Sequence, residues 1–560
     1  MSNPSLFVSP LVRQAARNLY QLELIRGTLV WTDCYCRRKF WHVQRMMART
    51  PDETAAWLPA LAFAVSHERN TSILDEFARW TLPEPLPPEA IPWRDRLIQV
   101  WEQYPADTTW EKTIRLAALV RLDRRAERLP EWLREARRAL NFEWYNRHFC
   151  LAVLAGWRPR PGDRPPHASS TEIAHGTDST GAAPAWIRFW EKLYRSPNLK
   201  SLMATAALLN LAEAGWLPSG PCPERLRAEF HQRVQQWTVS YHEGSVLQMA
   251  LASVPADASA PERLRQDIKA WLELTRGDVN WQKREAVWDM FAAWQREGVL
   301  ERCGGSLAPD LARALEWERN HYVLWAMAGY VPDLAEVRAH PEAARAIIAR
   351  WGALSQSDNW LIRQAAWVGR WNLMRAGVLT AGEQARFDAD YVEAIGAEND
   401  RNVLLALAQI TPLGTFPLVT WAGRLSDQND WRRLAAQLAI HGWLVEVMEG
   451  ASGGQRRQMR QVLRRTGQEG TDAGAVAPFV NLPPEVWPDF WRLREIETAL
   501  AAGHLPPSPD AGAGNRPSPR TVPARLPEAH PRTGPPGITG RTAGSEPPAR
   551  HPFPEAGRHE

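Results

Sequence analysis

Apolar residues recur along this chain in a helical rhythm. Four segments align without gaps: Cys150–Pro159 (CLAVLAGWRP), Val246–Pro255 (VLQMALASVP), Val323–Pro332 (VLWAMAGYVP) and Val403–Pro412 (VLLALAQITP). Each reads as a short apolar helix stopped by proline, which has no N–H to extend the ladder. The closing prolines are spaced 96, 77 and 80 residues apart. The first interval is lengthened by a Pro-, Gly-, Ser- and Thr-rich insertion at residues 158–184, which predicts a surface loop.

A second pattern lies between these segments. Asn280-Trp281 opens NWQKREAVWDMFAAWQREGVL, and Asn359-Trp360 opens NWLIRQAAWVGRWNLMRAGVL. Asn198 and Asp430 open looser copies. The polar residue before the first apolar one predicts an N-cap. Gly298 and Gly377 each follow the leading Trp by 17 residues, where a helix ends in the left-handed conformation. Trp360, Trp367 and Trp371 stand at i, i+7 and i+11, and Trp281 and Trp288 repeat the first two positions. At 3.6 residues per turn these tryptophans form one stripe.

Further helical stretches at Pro341–Leu354 and Ala381–Ala397 complete a unit of about eighty residues, or two antiparallel hairpins of about forty. The predicted class is all-α. Over residues 141–450 this pattern resembles the HEAT and armadillo-like α-solenoids. That resemblance implies an array in which each hairpin packs on its neighbours and leaves a concave face for a partner. The units lack the aspartate-valine and basic signature of the best HEAT repeats. Residues 1–140 are helical in pattern, with a Pro-rich break at Pro83–Pro92, and read as divergent repeats. Residues 451–500 read as a helical cap containing a basic helix. Residues 501–560 are Pro, Gly, Ala and Arg with almost no large apolar side chains, which predicts a disordered tail.

Composition narrows the function classes. The 67 basic and 63 acidic residues leave a formal charge of +4, too balanced for a protein that coats nucleic acid electrostatically. Only six of the basic residues are lysine: Lys39, Lys112, Lys192, Lys200, Lys269 and Lys283. The 29 tryptophans should dominate packing, since each buries on the order of 150–250 Å². Five cysteines in 560 residues make no disulfide framework. With no secretory signal pattern and no apolar run near the roughly 18 residues of a membrane span, the chain is expected to be cytoplasmic.

Few residues suggest chemistry. Cys34, Cys36 and His42 are the nearest approach to a zinc constellation, but no fourth ligand is apparent and the spacing is not that of a paired-cysteine knuckle. Packing as small hydrophobes is the reading we adopt for the two cysteines. His148 and His321 occupy matching places in two aligned units, which favours capping or packing. Gly453-Gly454 lacks the lysine of a phosphate loop, and neither H-E-x-x-H nor G-x-S-x-G occurs. The segment Arg121–Arg138 carries Glu127, Glu131 and Glu135 and reads as a salt-bridged surface.

The one basic ridge is formed by Arg456, Arg457, Arg460, Arg464 and Arg465, several of which share a helix face. It is the candidate site for an anion or an acidic partner. The sequence therefore points to a non-enzymatic scaffold that binds a protein partner on a concave face, without a cofactor. The alternative is a nucleic-acid-binding protein. HEAT-like DNA glycosylases cradle duplex DNA on a basic inner face, and this chain is similar to them in repeat type and in richness of Trp and Arg alone.

Overall fold

Helices begin where the sequence supplies a cap. Asn359 Oδ1 accepts from Leu361 N at 3.0 Å, and Asn280 Oδ1 accepts from Gln282 N at 2.8 Å. Thr50, Thr108, Asp333 and Thr380 each form a capping box with a glutamate three residues on. At the other end Gly298 and Gly377 have φ of 65° and 68°, as their helix-stop positions require.

The computed structural model describes residues 9–26, 33–80, 82, 86–123, 125–159, 182–196, 199–217, 222–240, 243–252, 261–277, 279–296, 298–300, 306–410, 420–421, 424, 427, 431–436, 438–439, 487–503 and 505. Packing divides the chain into Met1–Pro506 and Pro507–Glu560, and all the described residues belong to the first unit. Among them the regular structure is helical and no strand occurs.

The α-helices in chain order are α1 (Pro10–Arg26), α2 (Cys34–Met47), α3 (Pro51–Ala55), α4 (Leu58–His67), α5 (Thr71–Ala78) and α6 (Ile91–Gln103). Next come α7 (Thr109–Leu122), α8 (Leu129–Ala139), α9 (Trp144–Ala155), α10 (Ala182–Tyr194), α11 (Leu199–Glu213) and α12 (Pro223–Gln236). They are followed by α13 (Gly244–Ala252), α14 (Pro261–Leu272), α15 (Trp281–Arg296), α16 (Ala308–Trp317), α17 (His321–Ala328) and α18 (Leu334–Ala339). The last are α19 (Pro341–Leu354), α20 (Trp360–Arg375), α21 (Ala381–Ala397), α22 (Arg401–Gln409) and α23 (Trp487–Ala501).

The four aligned apolar segments fall on α9, α13, α17 and α22. These helices belong to one circuit of packed neighbours: α2, α5, α7, α9, α13, α15, α17, α20, α22 and back to α2. Within this circuit α2 packs against both α5 and α22. The joint has its own chemistry. Asn372 Nδ2 donates to Ala328 O at 2.8 Å and to Met46 O at 3.4 Å. Arg49 donates to Asn372 O at 3.1 Å, and Arg375 and Arg401 pair with Glu53 and Asp33. Farther out, α23 packs on α1, and Arg492 grips Glu23 through two bonds of 2.7 and 2.9 Å.

One ionic device recurs three times. Arg37, Arg284 and Arg363 each stand fourth in their helix and fork onto Glu68, Glu318 and Glu398. One oxygen of each glutamate also accepts the next two backbone N–H groups at 2.8–3.0 Å. The following Asn70, Asn320 or Asp400 then caps the next inner helix. Bidentate pairs of this kind, two of them buried and the Arg363–Glu398 pair partly so, fix orientation as well as energy. The pair α2 and α5 thus carries the same lock as the pairs α15 and α17 and α20 and α22.

Tryptophan fills the space between layers. Trp41, Trp101, Trp132, Trp157, Trp186, Trp190, Trp271, Trp288, Trp325, Trp351, Trp367 and Trp421 are fully buried. In the stripe on α20, Trp367 and Trp371 are buried and Trp360 is partly so.

Candidate functional site

Five inner helices turn polar side chains toward one interior chamber. On α2 these are Tyr35, Lys39 and His42, at i, i+4 and i+7, with Arg38 and Arg45 beside them. On α15 they are Trp281, Glu285 and Asp289, at i, i+4 and i+8. Such spacings place each set on one helix face. Glu76 and Arg79 come from α5 and its C-terminus, Ser245 and Gln248 from α13, and Tyr322 and Trp325 from α17. Together they enclose a cavity of about 190 Å³. A smaller cavity of about 80 Å³ shares Arg45, Arg79, Gln248 and Asp289 and reaches Arg121, Arg158 and Arg296.

The acidic groups sit in opposed electrostatic states. Arg45 Nε donates to Glu76 Oε1 at 2.8 Å, and His42 Nδ1 lies 3.3 Å from the same oxygen. Burial alone would raise the Glu76 carboxyl, but Arg45, His42 and Arg79 outweigh it and hold the group well below the ordinary carboxylate range. Burial pushes Glu285 up to about 8, with Asp289 one turn away adding to the shift. At neutral pH one chamber therefore holds an ionised carboxylate and a protonated carboxyl, a split that marks sites able to bind or move protons. Arg79 braces the wall, donating to Asp75 Oδ2 at 2.9 Å, Ser245 Oγ at 3.0 Å and Gln248 Oε1 at 2.5 Å.

Lys39 is the unusual cation. Its ammonium has no hydrogen-bond or ion-pair partner among the described residues. It lies 5.7 Å from the ring centres of Tyr35 and Trp325 and 5.9 Å from that of Tyr322. Burial, reinforced by Arg38 and opposed by Glu76 and Glu285, lowers its pKa to about 8. Trp281 stacks on Tyr322 with centroids 5.1 Å apart and planes at 17°, forming a flat aromatic wall. Tyr35 is 39% exposed and Arg38 is exposed, so this end of the chamber faces solvent.

The residues suggested by sequence are distributed differently. Arg456, Arg457, Arg460, Arg464 and Arg465 lie outside the described residues, as does Gly453-Gly454. Cys34 is exposed and Cys36 is buried, its thiol pushed up to about 12 by burial, while His42 turns to Glu76. Among the described residues no three His, Cys, Asp or Glu side chains converge as a metal-holding group. His148 is buried one turn into α9, its Nδ1 2.7 Å from Trp144 O, whereas His321 is the first residue of α17 and contacts Tyr322.

In the Arg121–Arg138 segment, Arg128 pairs with Glu131 and Arg138 with Glu135, at i,i+3 spacing and not the i,i+4 spacing expected of a salt-bridged helix surface. Arg121 departs from that reading: it donates to Ala78 O at 3.0 Å and lines the smaller cavity. The reason is register, since α7 belongs to the inner circuit and Arg121 lies in its last turn on the inward side.

Sequence reasoning missed Lys39, Glu76, Glu285 and Asp289. A signal was present: charged residues interrupt helices that are otherwise buried, as Asp75-Glu76 does in TSILDEFA and Glu285/Asp289 do on α15. No described helix is long and apolar enough to cross a membrane. No protein-family model matches the chain, and no curated protein matches it either.

Proposed function

We propose that this chain is a helical-hairpin repeat protein that binds a small anion with a planar body inside the chamber. The observation that carries the reading is Lys39, a cation with no ion-pair partner among the described residues, held among three aromatic rings on a cavity wall. A buried cation with no carboxylate in direct contact is costly, and an anionic ligand supplies that contact. Arg38 at the exposed end adds attraction, and the Trp281–Tyr322 stack offers a face for a flat group.

The reading keeps the non-enzymatic binding role expected from sequence and changes the ligand. A cavity of about 190 Å³ suits a small molecule rather than the face of a folded protein or a duplex. The protein-scaffold and nucleic-acid readings rest on the Arg456–Arg465 ridge and the repeat resemblance.

The test is calorimetric titration with phenyl phosphate and with its neutral analogue phenol. Saturable binding of the phosphate, weakened at least tenfold by Lys39→Met, supports the proposal. Equal affinity for phenol, or binding indifferent to Lys39→Met and Arg38→Ala together, would reject it.

A further inference from the structure

The chamber places a lone amine, a carboxyl and an aromatic cage within one cavity, and its chemistry reaches beyond simple ion capture. We propose that Lys39 is a carbonyl-capturing nucleophile, and that the anion held in the chamber carries an aldehyde or ketone. This inference rests on the anion-binding reading above and specifies its ligand class.

Three features converge. Lys39 Nζ has no competing partner among the described residues, so its lone pair is available once the proton leaves. The rings of Tyr35, Tyr322 and Trp325 surround the amine at 5.7–5.9 Å and keep it directed at the cavity. A protonated carboxyl, Glu285, lines the same wall. The lowered amine pKa of about 8 and the raised carboxyl of about 8 are consistent with this division of roles. Lys192, by contrast, is exposed.

The reaction balances without an oxidant or reductant. Neutral Lys39 Nζ attacks the carbonyl carbon, and the C–N bond forms as the carbonyl π electrons move to oxygen. Glu285 gives that oxygen a proton and takes one back from nitrogen, which leaves a neutral carbinolamine. A second proton from Glu285 releases the hydroxyl as water while the nitrogen lone pair forms C=N. The resulting iminium returns its proton to Glu285, and the products are an imine and one water. Anionic substituents on the carbonyl compound would face Arg38.

The experiment uses the full chain with glyoxylate or pyridoxal phosphate and borohydride, followed by peptide mass spectrometry. The expected result is a reduced adduct on Lys39 at one equivalent of probe, with at least tenfold less on each of the other five lysines. Lys39→Arg should abolish this adduct, and Glu285→Gln should slow trapping at least tenfold. Labelling spread evenly over Lys112, Lys192 and the others would overturn the proposal. If phenyl phosphate binds but neither carbonyl probe is trapped on Lys39, carbonyl capture fails while anion binding stands. If phenyl phosphate also fails, both readings fall.

Discussion

Trp351 occupies the space that Gly369 leaves by having no side chain. A Cβ on Gly369 would stand 2.8 Å from Cδ2 and Cε2 of the indole, and Trp351 is only 1% exposed. The two residues belong to α19 and α20, so this contact sets how closely those helices approach. Helix propensity favours alanine over glycine by about 1 kcal/mol in a helix interior. Overpacking a rigid ring costs about 1–3 kcal/mol and should win. Gly369→Ala is therefore expected to lower the urea midpoint, and a rise would show that α19 shifts freely.

The Arg284–Glu318 lock should be among the most sensitive ion pairs. Its two bonds measure 2.9 and 3.1 Å, and Glu318 also accepts from the N–H groups of Arg319 and Asn320. Removing one buried partner strands the other, at a cost of about 3–5 kcal/mol. Glu318→Ala should show this loss in equilibrium denaturation. Arg284→Lys, which keeps the charge but loses the fork, should fall between it and the parent.

Closure of the helical circuit depends on Asn372, which is fully buried and donates to carbonyls of two other segments. Asn372→Leu leaves Ala328 O and Met46 O without that donor and should cost about 2–3 kcal/mol. Hydrogen exchange should show the effect first as faster exchange in α2, the helix that closes the circuit. Unchanged protection in α2 would mean that Arg375–Glu53 and Arg401–Asp33 suffice to hold it.

Glu285 makes stability depend on pH in a definite direction. Its folded pKa of about 8 lies above the ordinary value of 4.5, so the folded chain binds more protons between those limits. Stability contributed by this proton is full below about 4.5 and is lost as pH rises through about 8. Glu285→Gln should thus gain on the parent as pH rises, by about 1–3 kcal/mol at pH 9 with allowance for solvent in the chamber. A constant difference from pH 5 to 9 would contradict the raised carboxyl.

Much of the local structure was legible in the sequence for physical reasons. Asn280 and Asn359 cap their helices, and Gly298 and Gly377 end theirs, because those functions depend on one side chain and its immediate backbone. The recurring Glu68, Glu318 and Glu398 were overlooked, since each completes its role through an arginine 31 to 35 residues away. Lys39 was only one of six lysines until α17 and α15 brought Tyr322, Trp325 and Glu285 around it.

By itself the sequence determined helix, cap and stop, and which faces are apolar, because those follow from spacing along one backbone. Only the tertiary structure decided that α2 closes the inner circuit and that charges from α2, α5 and α15 share a cavity with polar and aromatic side chains of α13 and α17. Closure depends on contacts such as Asn372 to Met46, separated by more than 300 residues. The proton affinities depend on burial and on neighbours that no local pattern specifies.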